Sequence, residues 1–313
     1  MKGGKLIGQG QYGCVFNPPL GCFKDKSKDT DRDRDRDKVG KVFFNDSEFN
    51  DEMKRMKQIE LLDPKHTFTV PLLDHCKIIA QKHNSQCEIN NNSCQIIYSF
   101  GGIDLNNIDN IDIKIIHCFL NIIKGIRVMH SNQYIHGDIK PGNILYHKKR
   151  NVLKLIDFGF ASKSDDVYRN GSTIFDRMSA QYPYFPPEYF WFFYNIKIGK
   201  QPSIAHMKDQ FNKTNNKEFG EYSINTDFSL SKFYFIMKSV KKFSQASWQV
   251  IACKADVYAL GITLMEVVKK IDKNKRLLFM VRSVISHMIE PNVLDRWDIN
   301  QVYVAWKEIV SFR

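Results

Sequence analysis

Residues Ile135 to Asn143, the stretch I-H-G-D-I-K-P-G-N, decide how the rest of this chain is read. They set Asp138, Lys140 and Asn143 at offsets of 0, 2 and 5, a spacing that suits phosphoryl transfer. One carboxylate can orient a hydroxyl nucleophile, an ammonium can neutralise the moving phosphoryl group, and an amide oxygen can bind Mg²⁺. Fourteen residues after Asn143, Asp157-Phe158-Gly159 offers a second carboxylate that could hold a metal beside the same phosphates.

Upstream, residues 5 to 16 (K-L-I-G-Q-G-Q-Y-G-C-V-F) alternate as a strand, a glycine turn and a second strand. Gly8, Gly10 and Gly13 leave backbone that can lie flat over a triphosphate. Val15 can cover an adenine from above, and Ile7 joins these candidate nucleotide contacts. Dinucleotide-binding folds use the same glycine letters, but there a helix begins at the glycines. Here the β-formers Cys14, Val15 and Phe16 continue a strand instead. The alternating charges of 31–38 have no apolar face to bury and suit a solvated loop. Lys41 then lies in a strand among Val39, Val42 and Phe43. A strand lysine facing a nucleotide needs a carboxylate partner, and the helix expected over Ser47 to Leu62 supplies two candidates. Glu52 is preferred, because Met53, Met56 and Ile59 put the apolar face beside it; Glu48 is the alternative. Asp63-Pro64 stops that helix. Cys94 to Phe100 suits a buried strand ending at Gly101-Gly102, after which Asp104 suits either a ribose hydroxyl or a helix cap. Apolar residues at 111, 115, 116, 119, 122, 123, 126 and 129 predict a helix over Ile111 to Ser131.

The bulk numbers bound the class. With 313 residues and 43% hydrophobic content, the chain suits two lobes sharing a cleft with a sizeable core. No run approaches the ~18 apolar residues of a membrane span. Met1 to Lys5 lacks a signal peptide's apolar core, and Lys2 stands where N-myristoylation needs glycine. The seven cysteines are scattered without paired zinc spacing and suit reduced thiols in the cytoplasm. A net charge of +12 without any nucleic-acid-reading motif makes nucleic acid an unlikely partner.

The glycine loop, the strand lysine, H-x-D-x-K-x-x-N, D-F-G and Pro186-Pro187-Glu188 occur in the order of eukaryotic-type protein kinases, which the chain resembles from about residue 5 onward. The resemblance implies an α+β, bilobal protein-kinase-like fold. The small β-rich N-lobe would span 1–98 and the mainly helical C-lobe 99–313. Insertions would lie at about 24–38 and 195–248, the second between the P-P-E element and the central helix. It implies ATP and Mg²⁺ as cofactors and a protein substrate. Asp138 would orient the substrate hydroxyl, and Lys140, usual in Ser/Thr members, would stabilise the transferring group. Asn143 and Asp157 would hold Mg²⁺. Lys41 would anchor the α/β-phosphates, with Glu52 orienting it. Asp256 resembles the buried aspartate that steadies the catalytic loop, Arg296 the arginine that pairs with Glu188, and His136 a structural hydrogen bonder. Softer features, M-K-G-G-K and Y-P-Y-F-P-P-E among them, resemble divergent kinases of giant cytoplasmic DNA viruses, which implies infected-cell cytoplasm or a virion.

The chain departs from the family pattern in three places. Gly137 replaces an arginine that pairs with a phosphorylated activation segment, so activity independent of such phosphorylation is expected. Gln181 replaces a threonine that contacts the catalytic Asp and Lys. Glu188 and Asp256 lie 68 residues apart, and the excess, roughly 195–248, holds nine Lys against four Asp plus Glu. Phe228, Phe233, Ile236, Val240 and Phe243 suggest an amphipathic helix within it, and the aromatic run Tyr189 to Tyr194 leading in suits burial. This basic insertion suits partner docking or simple packing. Two alternatives stand beside the protein kinase. A small-molecule phosphotransferase shares H-G-D and N but usually lacks Lys140 and the Glu188–Arg296 pair. A pseudokinase scaffold would not need the full catalytic set.

Overall fold

The computed structural model describes residues 4–10, 13–23, 37–78, 87, 89, 93–164, 182–215, 226–239, 245–271 and 275–311. Most of the charged loop at 24–38, and Gln181, lie outside them. The chain divides into two compact units, one of Met1–Gly102 with Lys154–Gly159, the other of Ile103–Leu153 with Phe160–Arg313. The fold is α+β, with a sheet-rich N-terminal region and a helical C-terminal region carrying most of the eight α-helices among the described residues.

The first unit is an antiparallel sheet in the order β1-β2-β3-β5-β4. Its strands are β1 (Lys5–Gly10), β2 (Gly13–Asn17), β3 (Lys38–Phe43), β4 (Leu72–Lys77) and β5 (Cys94–Ser99). Gly13 opens β2, and a side chain is excluded there because a Cβ would lie 2.0 Å from the Val42 carbonyl oxygen of β3. Lys41 is paired with Val15 on one side and Ile96 on the other, so it stands mid-sheet. Helix α1 (Asp46–Leu62) begins one residue before the expected Ser47, where the Asn45 side chain accepts from the Glu48 amide. Its buried residues are Glu52, Met56 and Ile59, at the spacing of one helical face. At its end the Asp63 carboxylate accepts five hydrogen bonds from Thr67, Phe68 and Thr69.

The expectation of reduced cysteines is corrected here. Cys14 is disulfide-bonded to Cys87 and Cys22 to Cys76, with Cα atoms 6.5 and 5.7 Å apart. Partners 73 and 54 residues apart in sequence meet only once the sheet forms; a bridge between Cys22 and Ile78 brings Cys22 beside β4. Cys94, Cys118 and Cys253 remain free thiols. Burial pushes Cys118 up to about 11 and Cys253 to about 12, so both stay protonated.

The second unit is built around α2 (Ile115–Ser131) and a long helix, α6 (Gln245–Lys269). The predicted start of α2 at Ile111 is four residues early, because Ile111 bridges to Ile271 instead. Against α2 packs α8 (Ile299–Ser311), whose Trp306 indole donates to the Ile116 carbonyl at 3.0 Å. Short strands carry the loops: β6 (Ile103–Asp104) pairs with β8 (Ile144–His147), and β7 (Tyr134–Ile135) with β10 (Ser162–Lys163). A turn after β8 leads to β9 (Val152–Leu155). Helices α3 (Pro187–Phe193), α4 (Ile204–Asn215), α5 (Thr226–Ser239) and α7 (Lys275–Met288) complete it.

The excess between Glu188 and Asp256 thus contains two helices, α4 and α5. Leu230, Phe233 and Met237 form the buried face of α5, while Phe228 is 66% exposed and Ile236 only half-buried. That face shares Phe233 with the stripe expected from the sequence but takes Leu230 and Met237 in place of Phe228 and Ile236; Val240 and Phe243 lie outside the described residues. Met207 of α4 and Phe233 join Tyr189, Trp191, Phe192 and Trp248 in one cluster, so the aromatic run of α3 is buried at alternate and adjacent positions.

Candidate functional site

In the first unit the site begins with a strand and a helix that share one charge pair. Lys41 Nζ donates to Glu52 Oε2 at 2.5 Å and lies 3.5 Å from Asp157 Oδ1. Burial would push the Lys41 ammonium down, but Asp157 and Glu52 outweigh it and hold it above the ordinary lysine value. Glu52, preferred over Glu48, is the residue that meets Lys41; Glu48 sits in the first turn of α1, its amide used by the cap. The other oxygen of Glu52 accepts from the Tyr98 hydroxyl at 3.0 Å. Asp157 holds a positive φ of 60°, unusual for a non-glycine residue and found where surroundings over-determine a backbone. Those surroundings are visible: the Leu155 amide donates to the Phe68 carbonyl at 2.7 Å, and Lys154 Nζ reaches the carbonyls of His66 and Thr67. Ile7, Gly8 and Gly10 lie on β1 and Val15 on β2; β1 shifts register between Leu6 and Gly8. A Cβ on Gly10 would meet nothing within 4 Å, so the backbone there is open to approach. Gln11 and Tyr12, at the turn itself, lie outside the described residues.

In the second unit the loop after β7 gathers two side chains, Lys140 and Asn143, on Asp138. Lys140 Nζ lies 2.8 Å from Asp138 Oδ2, and Asn143 Nδ2 donates to both the carbonyl and Oδ2 of Asp138 at 2.8 Å. The 3-10 turn Pro141–Asn143 makes this possible by folding Asn143 back over the loop. With its amide nitrogen committed inward, the Asn143 oxygen is the end that could meet a cation. Asp256 on α6 fixes the loop from below: its oxygens accept from the amides of His136 at 2.7 Å and Gly137 at 2.9 Å, and it meets His130 Nε2 at 3.1 Å. His136 is fully buried and its Nδ1 accepts from the Asp138 amide, a structural bond as the sequence suggests. Glu188 and Arg296 form a two-pronged ion pair at 2.5 and 2.9 Å with neither side chain exposed.

Two further placements complete the second unit. Asp104 caps the turn Leu105–Asn107, accepting from the amides of Asn106 and Asn107 and from Asn107 Nδ2. Of its two expected roles, the cap is the one displayed. Tyr182, which sequence reasoning passed over, donates its hydroxyl to Asp138 Oδ1 at 2.6 Å, and Lys140 Nζ lies 5.6 Å from its ring centre. It is held edge-on against Tyr184 and Phe185. Gln181, in the place of a threonine that contacts this loop in relatives, lies outside the described residues; its neighbour Tyr182 makes a polar contact to the loop. The only signal was the presence of a hydroxyl one residue along.

The donor chemistry suits Mg²⁺ in kind. A carboxylate at Asp157 and an amide oxygen at Asn143 are hard oxygen ligands, and Mg²⁺ commonly takes one or two from protein and the rest from phosphates and water.

The sequence profile of the protein kinase domain matches residues 1–201. Among similar proteins, a putative serine/threonine-protein kinase, R436, of Acanthamoeba polyphaga mimivirus is 23% identical over 240 residues, covering 69% of this chain and 75% of that protein. A putative serine/threonine-protein kinase of Mycoplasma genitalium is 33% identical over 78 residues, 22% of this chain and 20% of that one. The human serine/threonine-protein kinase Kist is 39% identical over 47 residues, 15% of this chain and only 11% of Kist.

Proposed function

Because the chain belongs to the protein kinase family, whose domain profile spans residues 1–201 of 313, we propose that it transfers the γ-phosphate of ATP to Ser and Thr hydroxyls of protein substrates. The observation that carries this reading is the bonding around Asp138. Its carboxylate is aimed by Asn143 and neutralised on one oxygen by Lys140, as a group that orients a hydroxyl requires. Lys140 is proposed to offset the charge of the transferring phosphoryl group. Lys41 anchors the α- and β-phosphates, with Glu52 fixing the ammonium. Ile7, Gly8, Gly10, Gly13 and Val15 form the nucleotide-facing surface of β1 and β2. Asn143 and Asp157 would hold Mg²⁺, which neutralises phosphate charge when bound. Positioning and charge stabilisation, with no covalent enzyme intermediate, supply the acceleration.

The small-molecule phosphotransferase is disfavoured by the buried Glu188–Arg296 pair, and the scaffold by the complete set on Lys41, Asp138, Asn143 and Asp157. The N-lobe is taken as 1–98 and the C-lobe as 99–313. Nucleic acid is not proposed as a partner. The lysines on the outer faces of α4 and α5 are where partner docking would fall, because the inner faces are buried in the chain's own core. No helix among the described residues is long and apolar enough to cross a membrane. Of the two locations the viral resemblance offers, the disulfides favour the virion over a reducing cytoplasm. The test of function is transfer from labelled ATP with Mg²⁺ to a mixed pool of Ser, Thr and Tyr peptides. Label on Ser and Thr peptides is expected. Label on none of the peptides, with ATP bound, would hand the reading to the alternatives.

A further inference from the structure

We propose that Tyr98 is a positioning residue: its hydroxyl holds the Glu52 carboxylate, and with it α1, where Glu52 meets Lys41, so that the resting chain forms this pair without any modification. The inference rests on the protein kinase reading above and adds the device that keeps its phosphate-holding lysine aligned. The two oxygens of Glu52 have separate partners. Oε2 accepts from Lys41 and Oε1 from Tyr98. Lys41 is paired across the sheet with Ile96, and Tyr98 lies two residues beyond Ile96 on β5, so both side chains rise from the same face of the sheet toward α1. Met56 and Ile59 anchor α1 by apolar burial one and two turns further on. At the turn of Glu52 itself, these two polar bonds tie the helix to the sheet.

The two bonds are not equivalent. Phosphates compete with Glu52 for the Lys41 ammonium, because all are anions seeking one cation. A neutral phenol does not face that competition, and its bond to a carboxylate is charge-assisted. Burial first, and then the Glu52 charge, push the Tyr98 hydroxyl well above the ordinary phenol value, so it remains a donor at any working pH. Gly137 supplies the complementary argument. A chain without a side chain there to read a phosphorylated segment needs its alignment built in, and Tyr98 provides a contact that is.

The test uses Tyr98→Phe, which keeps the ring and removes one oxygen. Amide hydrogen exchange across Phe49 to Ile59, measured without nucleotide, is expected to speed up about tenfold. The KM for ATP is expected to rise about tenfold, with the KM for peptide within about twofold. In a Glu52→Ala background, where the acceptor is gone, the same substitution should change neither. Tyr98→Met carries the same test should the Phe variant not fold. Exchange and ATP KM unchanged in Tyr98→Phe would overturn the proposal, as would an equal effect without Glu52. A wild-type protein that transfers no phosphate would defeat the kinase reading alone, because exchange in α1 still judges Tyr98.

Discussion

Gly137 stands at φ 78°, and a Cβ there would lie 2.9 Å from the Phe160 carbonyl oxygen. A side chain at this position must strain or move the backbone, so the arginine of many relatives has no place on this loop. Activity is therefore expected to be independent of activation-segment phosphorylation. Replacing Ser162, Ser164, Ser172, Thr173 and Ser179 together by alanine should leave transfer within about threefold of wild type. A folded variant without activity would refute it. At this scale legibility followed sequence distance. Asp138, Lys140 and Asn143 lie within one loop, so their spacing announced their meeting. Tyr182 and Tyr98 bond to carboxylates 44 and 46 residues away, and nothing local marks a tyrosine for such a partner.

The element that most repays attention is α1 with the loop that follows it. Asp63 ends the helix and accepts five hydrogen bonds, and the loop it organises supplies the carbonyl that holds Leu155, two residues before Asp157. Burial would raise the Asp63 carboxyl, but the bonds from Thr67, Phe68 and Thr69 outweigh it and hold it below the ordinary aspartate value. A depressed folded-state value means stability present above the unfolded value of about 3.9 and lost as pH falls through the lower folded one. Asp63→Ala should cost about 2–4 kcal/mol at pH 7, measured by urea unfolding, and the gap to wild type should narrow below pH ~4. A gap that stays constant with pH would count against this account. The stop at Asp63-Pro64 was legible, since proline after a periodic run ends a helix. The carboxylate's second task was not, because it depends on the loop curling back over it. Asp104 shows the same limit: its sequence allowed a ribose contact or a cap, and only the turn geometry displayed the cap.

Across the whole molecule, the order of motifs announced the α+β kinase fold, while the covalent ties within it stayed hidden. Cysteines scattered at wide spacing suggested free thiols; sheet formation brings Cys14 to Cys87 and Cys22 to Cys76. Closing loops of this length should contribute about 2–5 kcal/mol each to the first unit, so dithiothreitol should lower its unfolding midpoint markedly. An unchanged midpoint, with both bonds verified as reduced, would contradict that. The insertion was legible as amphipathic, but its buried face takes Leu230 and Met237 beside Phe233 where the sequence suggested Phe228 and Ile236. Aromatic residues such as Phe228 and Phe233 look alike in sequence, and only packing against Trp191 and Trp248 selects between them. The central claim is that Asp138 orients the hydroxyl receiving the phosphoryl group. It is tested most directly by comparing wild type with Asp138→Asn in transfer from ATP with Mg²⁺ to a Ser/Thr peptide, with ATP binding measured on both. Transfer reduced by at least about a thousandfold with ATP binding retained is the expected result. Equal transfer by the two proteins would contradict it.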